Sequence, residues 1–332
     1  MSTTRKIYSF ILVTIGPVHI GSGQTYSQKE YIYEDGYYYF PEMNRLYREI
    51  QNRGPKVVQT FEHFLMQNQR KNDPKQRLVN FLNDQQIRER DFGGYKIKES
   101  GFETEKRNRG KINEISAFIK DAYGKPYIPG SSLKGALRTL VLNQSEGDDA
   151  SLTDVFSHIY VSDSLPIEPE KLMLTQKLDY SEVKKGFNKL SVYRESIRPF
   201  TPVKFTIQAR NDEAIKLIDN LMTTAESQYK LYDDYFLFDF KDSYIQENIS
   251  GYAPIYLGAG SGFWTKTKIE SADPSRFSRG KNAMKGKGVL KLTKAARKEY
   301  MQSGKRKSLI KNSENFYEMG KAGFTCKAME ED

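Results

Sequence analysis

The sequence predicts an α+β fold in which antiparallel strands pair and helices back the sheet. Runs rich in β-branched and aromatic residues, such as 6–15, alternate with tight turns. Other stretches repeat apolar residues at helical spacing, as Leu133, Ala136, Leu137, Leu140 and Val141 do. The order strand, helix, strand, strand, helix is that of a ferredoxin-like or RRM-like sheet. Strands that pair as hairpins exclude a doubly wound sheet.

Residues 6–15 (Lys-Ile-Tyr-Ser-Phe-Ile-Leu-Val-Thr-Ile) read as a buried central strand. The run that follows, Gly16-Pro17-Val18-His19-Ile20-Gly21-Ser22-Gly23, is a loop over which another backbone can pass closely, or an ordinary turn. Residues 30–33 and 37–40 flank Asp35-Gly36, a preferred two-residue turn, and predict a hairpin. Pro41 opens a helix that runs through Gln51. Residues 57–68 and 75–86 predict two more helices, broken at Asn72-Asp73-Pro74. Residues 88–111 are polar and carry Gly93-Gly94, so they read as a mobile loop that orders on a ligand or stays a solvated linker.

Residues 112–122 lead into the stretch around which the chain is organised, 126–140. Pro126 and Pro129 hold its start extended, Gly130 permits a turn, and Ser131 or Ser132 is expected to cap a helix. Leu133, Leu137 and Leu140 face the core, while Lys134 and Arg138 share another side. The helix start then aims amides, hydroxyls and cations at one spot, which suits phosphate. The same residues also make a well-capped core helix.

Residues 156–162 predict a short strand with His158 as a partly buried core residue. Residues 190–197 and 203–209 alternate and are expected to pair across Pro199 and Pro202. Arg194, Arg198 and Lys204 there either reach phosphates or lie solvated. Asn211 or Asp212 caps a helix through about Tyr229, with Ala214, Leu217, Ile218, Leu221, Met222 and Ala225 as its apolar stripe.

Residues 257–266 are glycine-rich. They lack the Lys-Ser/Thr ending of a Walker A loop and the third spacing of a dinucleotide fingerprint. Gly258, Gly260 and Gly262 let backbone amides meet phosphates, with Ser261 and Lys266 alongside and Phe263 or Trp264 beside a base. A turn at a sheet edge is the other reading. Residues 276–311 are the most basic stretch, with Arg279 and Lys281 near its start and Glu299 its one carboxylate. A closing strand is expected over 316–327.

The formal charge of +10 favours a polyanionic partner, nucleic acid before membrane. A hydrophobic share of 38% is enough for a core. Cys326, alone, excludes an internal disulfide and a thiolate-only zinc site, and fits a reducing, cytoplasmic setting. His19, His63 and His158 show no ligand spacing, so no metal and no cofactor are expected. No apolar stretch approaches the length of a membrane span. Two regions are expected: 1–165, with a helical insertion over about 42–122, and 166–332.

The run Tyr127-Ile128-Pro129-Gly130-Ser131-Ser132-Leu133-Lys134-Gly135-Ala136-Leu137-Arg138-Thr139 resembles the signature of the RAMP proteins of CRISPR effector complexes. The strand and glycine loop at 6–23, Val161-Ser162-Asp163-Ser164, the loop 257–266 and Tyr317-Glu318-Met319-Gly320 fall in the same order. So does Ile115-x-x-Phe118-Ile119-Lys120-Asp121-x-x-Gly124. Within the superfamily these segments resemble the fifth-subunit family of type III-A (Csm) complexes. That resemblance implies a RAMP fold with helical insertions and a non-catalytic subunit. Such a subunit holds the 3′ region of the CRISPR RNA (crRNA), caps the filament of RAMP backbone subunits and supports maturation of the guide's 3′ end. Target RNA would meet it as a duplex with the guide. The contacts would fall on His19, Gly21 and Ser22, on the helix start at 130–138, on Arg194 and Arg198, on the loop 258–266 and on the basic segment.

An enzyme reading stays open beside this. Some RAMP relatives are metal-independent endoribonucleases, and here His19 would be the general acid–base, with Lys134 stabilising charge and Tyr26 assisting. Backbone relatives that cut target RNA use an aspartate in the loop after the first strand. Residues 16–30 hold none, which argues against that activity.

Overall fold

The computed structural model describes residues 5–67, 73–142, 149–240, 244–268, 288–295 and 315–330. β1 (Lys6–Thr14) is central, as its composition requires, with Tyr8, Phe10 and Leu12 buried. β2 (Gly21–Ser27) leaves the first glycine loop. β3 (Ile32–Glu34) and β4 (Tyr37–Phe40) form the expected hairpin. Asp35 and Gly36 both adopt the left-handed conformation, φ 50° and 77°, that such a turn needs. α1 (Met43–Asn52), α2 (Pro55–Met66) and α3 (Leu78–Asp84) follow. Leu46, Ile50, Phe61, Phe64 and Phe81 give this helical block its own apolar cluster.

Residues 88–111 are not the loop expected. β5 (Tyr95–Lys98) pairs with β4 and completes a three-stranded sheet. The Gly93-Gly94 pair makes the turn into it, and a Cβ on Gly94 would lie 2.0 Å from the Phe40 carbonyl oxygen. Alternation over Tyr-Lys-Ile-Lys was the available signal, with Ile97 buried and both lysines exposed.

β6 (Glu114–Phe118) precedes α4 (Gly130–Leu142), α5 (Asp149–Ser157) and β7 (Ile159–Val161). The strand expected from 156 starts only at Ile159. His158 sits at the end of α5, its Nδ1 3.1 Å from the Asp154 carbonyl oxygen. β8 (Leu172–Ser181) and β9 (Gly186–Ile197) form a long hairpin, and β10 (Pro202–Ala209) follows. β9 and β10 do not pair with each other as expected. β10 lies between β1 and β7 in another sheet. Thr14 makes the switch: its hydroxyl donates to the Arg198 carbonyl at 2.6 Å and accepts from the Thr201 amide at 2.9 Å, across a turn with Phe200 at φ 59°. The expected helix beyond is two helices, α6 (Asp212–Asp219), capped by Asn211, and α7 (Leu221–Tyr235). β11 (Ala253–Tyr256), β12 (Leu290–Lys294), β13 (Phe316–Glu318) and β14 (Lys321–Ala328) complete the described chain.

Among the described residues the strands form sheets ordered β11-β14-β1-β10-β7, β13-β12-β8-β9-β6-β2 and β3-β4-β5. In the first, β14-β1-β10-β7 is the fourth-first-third-second order of a βαββαβ unit, with antiparallel neighbours throughout. α4, α6 and α7 pack on it, so Phe10 and Leu12 share one cluster with Leu133, Leu137, Ile218 and Ala225. Both large sheets take strands from either side of residue 165, so the two regions share them.

A buried ion pair ties the chain's last hairpin to the rest. Lys321 is fully buried, and its Nζ donates to Glu318 Oε2 at 2.9 Å, to the Tyr229 hydroxyl at 3.2 Å and to the Gln246 carbonyl. Glu318 Oε1 accepts from the Tyr256 hydroxyl at 2.6 Å. Burial pulls the lysine's pKa down, but Glu318 and Tyr229 outweigh it and leave it raised. Lys321→Met strands a buried carboxylate and is expected to cost about 3–5 kcal/mol in urea unfolding, with Lys321→Met/Glu318→Gln recovering a large part.

Candidate nucleic-acid interface

The two glycine loops meet. The amides of Ile15 and Gly16 donate to the Lys321 carbonyl, and the Gly320 amide to the Pro17 carbonyl, each at 2.9 Å. The Ala259 amide donates to the His19 carbonyl at 2.8 Å. These approaches need glycine. A Cβ on Gly16 would lie 1.8 Å from the Glu318 oxygen, on Gly258 2.4 Å from the His19 oxygen, and on Gly320 2.4 Å from the Leu257 oxygen.

Beside this junction lies a cleft of about 370 Å³. His19, Ile20 and Gly21 form one wall and 256–259 another, with Thr265 and Lys266 at the loop's end. The third wall is α4, through Ser132, Gly135, Ala136 and Thr139. Those four positions follow i, i+3, i+4, i+7, so they share one helix face.

That face is not the one carrying the α4 cations. Lys134 Nζ donates to the Ile159 carbonyl at 2.7 Å, and burial lowers its pKa. Arg138 Nη2 donates to Thr153 Oγ1 at 3.0 Å. Neither lines the cleft. The helix start also differs from expectation. Gly130 is its first residue, Ser131 and Ser132 lie inside the first turn, and Asp163 Oδ1 accepts from the Gly130 amide at 2.8 Å. The capping group comes from across the fold, and so does the anion at the helix N-terminus. Gly130 itself packs on β7, where a Cβ would lie 2.2 Å from the Val161 oxygen. The neighbouring Ser164 hydroxyl accepts from the Ile128 amide at 2.9 Å, so Val-Ser-Asp-Ser clamps the start of α4.

His19 is buried, and its Nδ1 lies 2.5 Å from the Glu195 carbonyl oxygen. Nδ1 must therefore carry the proton, which leaves Nε2 an acceptor. Burial pushes its pKa down to about 4, against the backbone bond, with Arg194 and Lys120 acting in the same direction as burial. The ring is neutral at physiological pH. Tyr26 does not reach this site. Its hydroxyl is 3.3 Å from that of Tyr95, which donates to the buried Glu195 carboxylate at 2.5 Å. Glu195 Oε2 also takes Lys120 Nζ at 2.6 Å and the Phe118 amide at 2.8 Å.

In the second glycine loop Gly258, Gly260 and Gly262 all have positive φ. Ser261 is buried, its hydroxyl on the Gly258 carbonyl at 3.2 Å. Trp264 is buried against Tyr235 and Phe236, so it supports the loop from below instead of facing a base. Phe263 is half-buried beside it. Lys266 lines the cleft, its pKa lowered by burial and then by Arg194. Arg194 Nη1 donates to the Ala259 carbonyl at 3.5 Å. Arg198 turns its Nε to the Leu172 carbonyl at 3.0 Å. Ser22 and Ser131 are exposed outside the cleft. Arg279 and Lys281 lie outside the described residues.

The model of the RAMP superfamily matches residues 11–270. The chain belongs to the RAMP superfamily. This RAMP chain is 42% identical, over 99% of its own length and 100% of the relative's, to the CRISPR system Cms protein Csm5 of Streptococcus thermophilus, which places it in the Csm5 family. Its fold is similar to a chain in the cryo-EM structure of a Csm–crRNA–target RNA ternary complex, with a TM-score of 0.64, 16% identity, and coverage of 96% of this chain and 100% of that one. It is also similar to the crystal structure of Csm5 from T. onnurineus, with a TM-score of 0.58, 15% identity, and coverage of 94% and 99%.

Sequence reading missed Gly135, Thr139 and Thr265 in the cleft of this RAMP protein, and Glu195 beneath it. The helical spacing Ser132, Gly135, Ala136, Thr139 was a signal: it marks a smooth face of small residues opposite the cations. Glu195 gave none, because its partners Lys120, Tyr95 and His19 lie far off in sequence. His19 also carries a pH signature. A free histidine titrates near 6.5, so as pH falls from about 6.5 toward about 4 the unfolded chain binds a proton that the folded chain does not. Stability then falls across that window by up to about 3 kcal/mol. His19→Gln is expected to lose less stability over it, read from urea midpoints at successive pH values.

Proposed function

We propose that this chain is the crRNA-binding Csm5 subunit of a type III-A CRISPR effector complex. It holds the 3′ region of the guide, caps the filament of RAMP backbone subunits and supports 3′-end maturation without cutting RNA. It works in the cytoplasm, and target RNA reaches it as a duplex with the guide. The observation that carries this reading is the cleft, where both glycine loops and the smooth face of α4 converge on one volume. The Gly258 amide, the Ser132 hydroxyl and the Lys266 ammonium offer donors to a sugar–phosphate unit, while the Thr139 and Thr265 hydroxyls, which donate to the Gly135 carbonyl and to the Ser261 and Gly262 carbonyls, offer it acceptors. Such donors read backbone and shape, as a subunit that must accept many guide sequences requires. The relative named Csm5 and the neighbour named as part of a Csm–crRNA–target RNA complex support the assignment.

Endoribonuclease action is the second reading, because His19 lines the cleft. Its committed Nδ1 and lowered pKa leave it no proton to donate from a charged ring at neutral pH, and Lys134 and Tyr26 are engaged elsewhere.

Gly135 offers a clean test. A Cβ there meets nothing within 4 Å, so a side chain is accommodated and projects at the cleft wall. Gly135→Ala is expected to stabilise α4 by about 0.5–1 kcal/mol and to leave RNA binding intact. Gly135→Trp is expected to fold equally well and to weaken binding of single-stranded guide RNA at least about tenfold. Unchanged binding by Gly135→Trp would remove the cleft from the interface. In chelator, intact chain and His19→Ala are expected to leave a labelled repeat–spacer RNA whole; cutting by the intact chain alone would restore the nuclease reading.

A further inference from the structure

Behind the second glycine loop, on the six-stranded sheet, three cations gather around one carboxylate, and a fourth, at the end of the loop, neighbours one of them. Lys291 Nζ lies 3.0 Å from Asp179 Oδ2, and Lys177 Nζ lies 3.8 Å from Asp179 Oδ1. Arg194 and Lys266 complete the group. Among the described residues Asp179 is the one carboxylate in ion-pair range of any of the four, and it acts on Lys177, Lys291 and Arg194, so three positive charges share one negative with Lys266 beside them. Lys177, Asp179 and Lys291 are half-buried, at 21%, 15% and 22% side-chain exposure, where water screens them less than at the surface. The described residues keep like charges together there without supplying the anions to match.

The cluster adjoins the cleft. A Cβ on Gly260 would lie 2.7 Å from Arg194 Nη1, and one on Gly262 3.5 Å from Lys291 Cγ, so the loop lies directly on these side chains. Lys266 belongs to both places: it lines the cleft and feels the charge of Arg194. Arg194 in turn feels Asp179 and, with Lys291, depresses Lys177 after burial has done so. A polyanion leaving the cleft past Lys266 meets this group next.

We propose that Lys177, Arg194, Lys266 and Lys291 form a second phosphate subsite, which takes the next phosphodiesters of a single RNA strand after it crosses the glycine loop. The register on the sheet fits, since Lys291 stands directly across from Asp179 and Thr175 directly across from Arg194 on adjoining strands. The loop is then a saddle with a subsite on either side. This inference rests on the cleft as the first subsite, and its test separates the two.

Full-length chain is titrated with two labelled single-stranded RNAs, a short one that fills the cleft and a longer one that runs past it. Lys177→Gln/Lys291→Gln is expected to bind the short RNA as the parent does and the longer one about tenfold more weakly. Its salt slope for the longer RNA should be shallower by about 1.4, roughly 0.7 for each of the two phosphates no longer neutralised. Lys177→Arg/Lys291→Arg restores both quantities. Asp179→Asn, which removes the competing charge, tightens binding of the longer RNA, an effect no purely structural role for Asp179 gives. Gly135→Trp weakens both RNAs if the cleft is the first subsite. Loss with Lys177→Gln/Lys291→Gln but not with Gly135→Trp keeps this subsite and removes the cleft. Unchanged affinity and slope in Lys177→Gln/Lys291→Gln, with no gain from Asp179→Asn, overturns the proposal. So does intact RNA binding with lost assembly onto other subunits, which would assign the cations to an acidic protein surface.

Discussion

The approach of three backbones at Gly16, Gly258 and Gly320 is the constraint on which the rest of the structure depends. Each would place a Cβ within 1.8–2.4 Å of a carbonyl oxygen on a neighbouring segment, closer than any side chain tolerates. With hydrogen as the side chain, the loop after β1, the loop after β11 and the β13–β14 turn close on one another through main-chain hydrogen bonds. The two large sheets are joined at this point. A glycine is costly where it only adds freedom to the unfolded chain, and it is kept where a close approach requires it.

That junction also decides what the surface beside it is made of. Backbone brought so near the surface presents amides and carbonyls instead of side chains. Around it the fold sets its charges in layers. Glu195 is buried and fully engaged by Lys120, Tyr95 and the Phe118 amide, so it gives the cleft floor rigidity without exposed negative charge. Glu318 is held the same way by Lys321 and Tyr256. Carboxylates are neutralised inside, while Lys266 and Arg194 remain toward the rim. The result is a site whose net field is positive although acids lie close beneath it.

Local pattern and global pairing part company in instructive places. The strands at 190–197 and 203–209 were legible as strands because alternation is a local property. Their partners were not, because pairing depends on where Thr14 can bridge the turn between them. The loop reading of 88–111 missed β5 because polar residues outnumber apolar ones there. One buried Ile97 and a register against Tyr37–Phe40 nonetheless make an edge strand. For α4 the Ser-Ser pair was the obvious local cap, yet Asp163 reaches the Gly130 amide first, and Gly130 can sit on β7 only for lack of a Cβ. Trp264 looked available for stacking by composition, but three aromatic neighbours hold it in the core.

By itself, the sequence determined the kinds of element, the central first strand, the hairpin at Asp35-Gly36, the capped helix after Asn211 and the two glycine loops. Each of these follows from residues within a turn or two of one another. It also carried the family, in short runs whose order along the chain is specific. Which face of α4 meets the second glycine loop, which acid caps that helix, and which cations gather under Gly260 and Gly262 were decided only in three dimensions. The reason is physical: a helix or strand chooses its exposed side by what else packs against it, and those partners lie in other parts of the chain.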